Sequence, residues 1–141
     1  MRSATPVVGQ WYLRAPSGDV ASAINAVGAW TSTTGSASVV VAVLDTGITA
    51  HPDLDENVVA GYDFILSESN SRDFQPGRDA DPTDPGDYST SGSEASSWHG
   101  THVAGIVAAS GNSIGITGVA PLVSISPIRV LGVNGGTESD I

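Results

Sequence analysis

Residues 39–47 read VVVAVLDTG, an unbroken run of mostly β-branched apolar residues that ends in Asp45, Thr46 and Gly47. Such a run predicts a strand that is buried on both faces, as in the centre of a parallel sheet. In open parallel sheets, the crevice beyond the carboxyl ends of the strands holds the active site. Asp45 stands at that end, where a half-buried carboxylate needs a partner. A turn aspartate that caps a backbone amide would explain the same position, so this residue alone leaves both interpretations open.

The segments on either side of this strand predict an α/β chain. Apolar residues at helical spacing predict an amphipathic helix over 19–30, and an alanine-rich segment predicts a buried helix over 99–109. Residues 58–65 form a short apolar segment, and 122–131 predict another strand, although Pro127 interrupts it. The order of helix, strand, loop, helix and strand predicts an open α/β sheet.

Residues 66–97 lack hydrophobic periodicity and are rich in Asp, Ser, Pro and Gly. A loop of this length is uncommon inside a compact domain, so we expect it to be functional or to bind an ion. Within this acidic insertion, carboxylates recur every two or three residues, at Asp79, Asp81, Asp84 and Asp87. Carboxylates held close together cannot all stay ionised without a cation, which favours a calcium site. The alternative is a solvated acidic loop.

The composition excludes several classes of function. Fifteen acidic residues against five basic ones give a net charge of −10, which repels phosphate backbones and argues against nucleic-acid binding. There is no cysteine, so disulfides and thiolate metal sites are excluded. No apolar run is long enough for a membrane span, and the first residues contain no apolar signal core.

His99 opens the second predicted helix, within the sequence WHGTHVAG at residues 98–105. A neutral imidazole at this position can accept a proton from a hydroxyl, although a lone histidine beside a serine-rich loop is more often a surface residue. His102 follows one helical turn later. No third ligand accompanies the two histidines, so we do not predict a zinc site.

Taken together, these segments resemble the subtilisin-like serine proteases. VAVLDTGI at residues 41–48 and HPDL at 51–54 resemble the segment around the family's catalytic aspartate. HGTHVAG at 99–105 resembles the segment around its catalytic histidine, and NSIGI, GVAP and IRVLG continue the likeness toward the end of the chain. The resemblance implies a three-layer α/β sandwich with a mainly parallel sheet.

The same resemblance implies a serine endopeptidase in which Asp45 orients His99, and His99 activates a serine. No serine of this chain stands in the context of the family's nucleophile. Residues 1–141 are therefore expected to form the N-terminal half of a peptidase S8 catalytic domain. Residues 138–141 look like the first turn of a helix that continues. The chain alone is expected to be inactive.

The resemblance also implies a calcium site. Its ligands would be two side chains, two main-chain oxygens and a residue of the N-terminal arm, respectively Asp53, Asn112, Ile114, Ile116 and Gln10. One ion in this position would join the loop after the first strand to the loop after the catalytic helix. His102 is expected to be a buried structural residue.

For substrate, the resemblance assigns Val133, Gly135 and Gly136 to a segment that pairs with extended peptide through main-chain hydrogen bonds. The expected partners are a protein or peptide substrate and the rest of the domain, and the expected location is extracellular. The alternative is a catalytically inert calcium-binding fragment. Such a fragment would self-associate through uncovered apolar residues such as Ile106 and Val107.

Overall fold

The structure is a computed structural model that describes residues 5–6, 9–88 and 95–141. Its centre is a parallel sheet of three strands in the order β1-β3-β2, where β1 is Val40–Asp45, β2 is Tyr62–Asp63 and β3 is Ser124–Arg129. The helices are α1 (Ala26–Ala29), α2 (Glu68–Ser71) and α3 (His99–Ala108). A 3₁₀ turn covers Trp11–Leu13. The predicted open α/β sheet is confirmed.

The register of the sheet aligns the ends of its strands. Val40 pairs with Ser124 at the start of β1, and Asp45 pairs with Arg129 at its end. Asp63 at the end of β2 also pairs with Arg129, from the other side of β3. The carboxyl edge of the sheet therefore contains Asp45, Arg129 and Asp63 side by side.

The sequence predicts that β1 is buried on both faces, and this prediction is wrong. Val43 and Asp45 are buried, whereas Val40 and Leu44 are about half exposed. Among the described residues β1 lies at an edge of the sheet, and β3 is the central strand. The apolar run therefore forms a strand with one buried face, and no described residue covers its other face.

Pro127 lies within β3 and does not end it. Proline has no amide to donate to a neighbouring strand, and the chain beside it compensates. The Ser126 hydroxyl donates to the Ala60 carbonyl at 2.8 Å, and a side chain at Gly61 would collide with the Pro127 carbonyl. The neighbouring strand β2 is consequently restricted to two residues beyond this point.

The helix predicted over 19–30 is wrong in extent, because only the four residues of α1 are helical. Ile24 and Val27 are exposed, so the apolar positions of the pattern do not build a buried face. Asn25 precedes α1 with a left-handed backbone, φ = 57°. By contrast, α3 confirms the predicted helix 99–109 to within one residue.

The hydrophobic core lies between α3 and the sheet. The small side chains of Ala104 and Ala108 are fully buried and allow the helix backbone to approach Val43 and Ile125 closely. Leu54, from the loop after β1, completes this cluster. Among the described residues, no helix is long and apolar enough to cross a membrane.

A buried ion-pair network occupies the carboxyl edge of the sheet. The guanidinium of Arg129, which is 2% exposed, donates to Asp63, to Asp73 at 2.8 Å and to the Ser71 carbonyl. Its Nε donates to the Thr46 carbonyl at 3.2 Å.

The carboxylates of Asp63 and Asp73 share one cation, so their pKa values separate. Burial raises the pKa of Asp63 to about 6. Burial acts on Asp73 too, but hydrogen bonds from Gln75 and Ser71, together with Asp63 and the charge of Arg129, leave its pKa lowered.

We expect this network to make stability fall as pH rises from about 4 to about 6. In that window folded Asp63 holds a proton that the unfolded chain has lost, so each step up in pH favours unfolding. The lowered pKa of Asp73 acts only below that window. Asp63→Asn should remove the slope, which corresponds to at most about 3 kcal/mol over the window. Urea unfolding of both proteins across this range measures the difference, and parallel pH profiles would contradict it.

Candidate active site

Asp45 is the last residue of β1 and lies at the carboxyl edge of the sheet. The residue is 7% exposed. The amide of Thr46 donates to its Oδ1 at 2.7 Å. The main chain of Asp45 is also held, because its carbonyl accepts from Val130 and Leu131 just after β3. The position of this carboxylate is therefore set by the sheet itself.

His99 is the first residue of α3, and its Nδ1 lies 2.8 Å from Asp45 Oδ1 and 2.9 Å from Oδ2. A carboxylate only accepts hydrogen bonds, so this contact places the proton of the neutral imidazole on Nδ1. Nε2 is then the acceptor nitrogen. The side chain is 60% exposed, which lets a reacting group reach it. The pairing predicted for Asp45 and His99 is present in the structure.

A close approach between α3 and the loop after β1 brings the two residues together. A side chain on Gly100 would overlap the Gly47 carbonyl and lie 3.2 Å from Cβ of Asp45. Gly47 itself has φ = 105°, and a side chain there would overlap the Pro82 carbonyl. Glycine at both positions lets the helix start beside the strand end.

The sequence did not reveal that the Thr46 hydroxyl supports the close approach of α3 to the loop after β1. Thr46 Oγ1 accepts from the Gly100 amide at 3.0 Å and donates to Asp84 Oδ2 at 2.6 Å. Asp84 is buried, and its other oxygen accepts from the Gly86 amide at 2.8 Å. A threonine next to the key aspartate was the available signal, but nothing in the sequence indicated that its partner lies in the acidic insertion.

The acidic insertion otherwise satisfies its carboxylates locally. Asp79 Oδ1 accepts from the Asp81 amide at 2.6 Å, and Asp81 Oδ1 accepts from the amide and hydroxyl of Thr83. Asp87 accepts from the hydroxyl and amide of Ser97, which hold the pKa of this carboxyl below its ordinary value.

These four predicted ligands are not brought together. One oxygen of Asp79 is buried without a hydrogen-bond partner, but Asp84 is engaged by Thr46 and Asp87 by Ser97. In the described part of the chain, no three acidic or histidine side chains converge on one point. The second predicted calcium site stays a prediction. Residues 89–94 of the insertion lie outside the described residues.

Two of the residues predicted for the first calcium site, Asp53 and Ile116, are in contact. Asp53 is 2% exposed, and its Oδ2 accepts from the Ile116 amide at 2.9 Å. Its Oδ1 is buried with no hydrogen-bond partner among the described residues. A side chain at Gly115 would overlap the carboxylate, so loop 110–117 closes directly over it.

Two other predicted ligands hold the ends of this loop. Gln10 is buried, and its amide accepts from the Thr117 amide at 3.0 Å and donates to the Thr117 carbonyl at 2.8 Å. Asn112 Oδ1 accepts from the Ile114 amide at 2.8 Å. The structure thus places Gln10, Asp53 and Ile116 around one loop, with Asn112 turned toward Ile114.

The predicted substrate segment forms a tight turn beyond β3. The amide of Gly132 donates to the Gly135 carbonyl, and the amide of Gly135 donates to the Gly132 carbonyl, both at 3.0 Å. Gly135 has φ = 83° and open space where a side chain would stand. At Gly136 a side chain would lie 2.7 Å from the Val130 carbonyl. Glycine therefore suits positions 135 and 136, and the lack of a side chain at 135 leaves open space there.

The prediction that His102 is buried is wrong, because its side chain is exposed among the described residues. It lines a cavity of about 370 Å³ together with His51, Asp53 and Trp98.

Comparison with known proteins agrees with this geometry. A family model described as the subtilase family, Peptidase_S8, matches residues 36–141. An extracellular protease of Xanthomonas campestris is 49% identical over 121 residues, covering 80% of this chain and 20% of that protein. An extracellular basic protease of Dichelobacter nodosus is 45% identical, covering 73% of this chain and 19% of that protein. A solved protease structure from Pseudoalteromonas arctica superimposes with a TM-score of 0.74 at 49% identity, covering 83% of this chain and 36% of that one. The chain spans about a fifth of the length of the curated relatives it matches.

We expect Gly100→Ala to destabilise the protein by about 1–3 kcal/mol, because the added methyl overlaps the Gly47 carbonyl. Gly105→Ala is the matched control in the same helix, where a methyl would meet only Ile116 Cδ1 at an ordinary 3.8 Å. That change should be neutral or stabilising by up to about 1 kcal/mol. Denaturant unfolding of both variants measures the contrast, and equal effects would contradict the close approach.

Proposed function

Because the chain belongs to the subtilase family, we propose that it is part of a secreted serine endopeptidase with an Asp-His-Ser triad, of which Asp45 and His99 are two members. The observation that carries the proposal is the contact of His99 Nδ1 with both oxygens of Asp45, at the carboxyl edge of the sheet. The nucleophilic serine would come from a segment outside these 141 residues, since no serine here stands in the family's context.

The contact between Asp45 and His99 supports a separate role for each residue. Asp45 keeps the proton on Nδ1 and stabilises the imidazolium that forms when Nε2 takes the serine proton. The serine oxygen then attacks the peptide carbonyl, and Nε2 returns the proton to the leaving amine as the C–N bond breaks. Water hydrolyses the acyl-enzyme by the same route. His99 is exposed enough to meet both the serine and the substrate.

We further propose that Val133, Gly135 and Gly136 form the edge on which extended peptide pairs as an added strand. Gly136 is exposed and follows directly on the segment that leads from β3. The open space at Gly135 would accept a bulky side chain of the substrate. The primary specificity pocket is not formed by the residues described.

We also propose a bound calcium ion at Asp53. The buried and unpartnered Oδ1 supports it, because a carboxylate oxygen removed from water needs a hydrogen bond or a cation. The ion would be held by the Asp53 carboxylate, the main-chain oxygens of Ile114 and Ile116, and the side chains of Asn112 and Gln10, all oxygen donors of the kind Ca²⁺ prefers. When bound, it would tie the loop after β1 to the loop after α3.

An extracellular location is supported by the relatives from Xanthomonas campestris and Dichelobacter nodosus, both named as extracellular proteases. Secretion of the complete protein is therefore part of the proposal. A polypeptide outside the cell would meet calcium at concentrations that fill even a weak site.

The alternative function is a catalytically inert calcium-binding piece that associates with the remaining part of its domain or with a second copy. The exposed edge strand β1 favours association, because Val40 and Leu44 on its surface have no cover among the described residues. Ile106 on α3 is exposed as well. Such a piece would show no peptidase activity by itself.

In the complete enzyme, His99→Ala should lower kcat on the order of 10⁶-fold, because members of a triad act as a unit. Asp45→Asn should cost less, since this residue orients the imidazole without transferring the proton. Peptide-substrate kinetics measure both, with His51→Gln, an exposed histidine outside the pair, as the control that keeps turnover. Near-normal turnover in either dyad variant would refute the assignment.

Saturating calcium should stabilise the protein by about 4 kcal/mol when the free ion is 1,000 times Kd. Asp53→Asn should abolish that gain, because it removes the charge that faces the ion while retaining an oxygen for the Ile116 amide. Asp55→Asn, two residues away and exposed, removes the same charge and should keep the gain. Thermal unfolding with calcium and with chelator distinguishes them. An equal calcium shift in all three proteins would contradict the site.

A further inference from the structure

The short helix α2, inside the acidic insertion, contacts the predicted substrate segment through one residue, Asn70. Asn70 is 8% exposed, although it lies in a loop region of mostly exposed residues. Its main-chain carbonyl accepts from the Val133 amide at 3.1 Å. Its side-chain Oδ1 accepts from the Asn134 amide at 2.8 Å, and Nδ2 donates to the Gly135 carbonyl at 2.9 Å. Three successive residues of the turn are thus bound by one asparagine.

These contacts occupy the inward side of the turn. The Gly135 carbonyl receives two donors, Asn70 Nδ2 and the Gly132 amide, which use both of its lone pairs. The amides of Val133 and Asn134 are also engaged by Asn70. Gly136 is exposed and forms no hydrogen bond with the described residues, so its amide and carbonyl remain available to a ligand. Asn70 therefore determines which edge of the segment remains available to a ligand.

The chemistry of asparagine suits this place. Its amide offers an acceptor to the Asn134 amide and, on a separate atom, a donor to the Gly135 carbonyl. Gly132 allows the approach, because a side chain there would overlap the Asn70 carbonyl and lie 2.7 Å from its Cγ. A carboxylate of the same size would keep the acceptor and set a second oxygen against the Gly135 carbonyl.

The helix that carries Asn70 is itself anchored to the catalytic edge. The carbonyl of Ser71, the next residue, accepts from the buried guanidinium of Arg129. The same guanidinium binds the Thr46 carbonyl next to Asp45. Asn70 is consequently held in a fixed position relative to Asp45 and His99. By binding the turn 132–135, it fixes the position of that turn as well.

We propose that Asn70 is a positioning residue for extended substrate: by fixing the turn 132–135 it presents the Gly136 edge to a peptide that runs several residues before the scissile bond. This inference rests on the proposed endopeptidase function and on the substrate role of Val133, Gly135 and Gly136. Its ligand class is an extended peptide main chain, recognised independently of most side chains. A substrate that fills only the primary pocket would not reach this edge.

The test compares substrate lengths in the complete enzyme. The probes are a peptide amide with four residues before the scissile bond and a single-residue ester with the same residue at the cleavage position. Asn70→Asp should lower kcat/KM for the long peptide about tenfold more than for the ester, the effect of losing one buried hydrogen bond that substrate binding depends on. Ser69→Asp, on the exposed neighbouring residue, adds the same charge and should leave the ratio of the two kcat/KM values as it is.

Each outcome decides a different point. A wild-type enzyme that gains nothing from the longer peptide would refute the substrate role of the segment, and with it this inference. A wild-type gain that Asn70→Asp retains, or a loss that is equal for peptide and ester, would overturn the role of Asn70 alone. If Asn70→Asp does not fold, Asn70→Ala removes the same donor without adding charge, and the same ratio decides.

Discussion

The rest of the structure depends on the hydrogen bonds and ion pairs that the buried guanidinium of Arg129 makes. Its donors reach three separate parts of the chain, namely the end of β2, the end of α2 and the loop after Asp45. Removing one partner from a buried ion pair typically costs about 3–5 kcal/mol, because the remaining charge is left without compensation. The loop after Asp45 and the helix α2, which binds the turn 132–135, therefore share one electrostatic support.

The elements that could be predicted from sequence are those with a strong pattern or motif. The β-branched run of β1, the alanine-rich α3 and the pairing of Asp45 with His99 all appear in the structure. Helix 19–30 could not be excluded from sequence, because spacing alone does not show whether Ile24 and Val27 meet a core. Asn70 and Thr46 were missed for a related reason, since their partners are distant in sequence and known only once the fold is formed.

The acidic insertion shows how one composition can serve two purposes. A row of aspartates predicts a cation site, and the same carboxylates are equally good acceptors for nearby main-chain amides. In this structure Asp81 and Asp87 are satisfied locally, and Asp84 supports the start of α3 through Thr46. Charge density alone could not distinguish these roles. One oxygen of Asp79 and one oxygen of Asp53 are different, because both are buried without a hydrogen-bond partner among the described residues.

The strand order has a consequence for how the chain reaches its native state. Strands β1 and β2 follow each other in sequence, yet neither pairs with the other; both pair with β3, so Val40 must find Ser124 and Tyr62 must find Ile128. Every sheet contact thus closes a long loop, whose entropy must be lost before any pairing compensates for it. Such high contact order is typical of slow folding. A nascent chain would hold β1 and β2 without their β3 partner until residues 124–129 emerge.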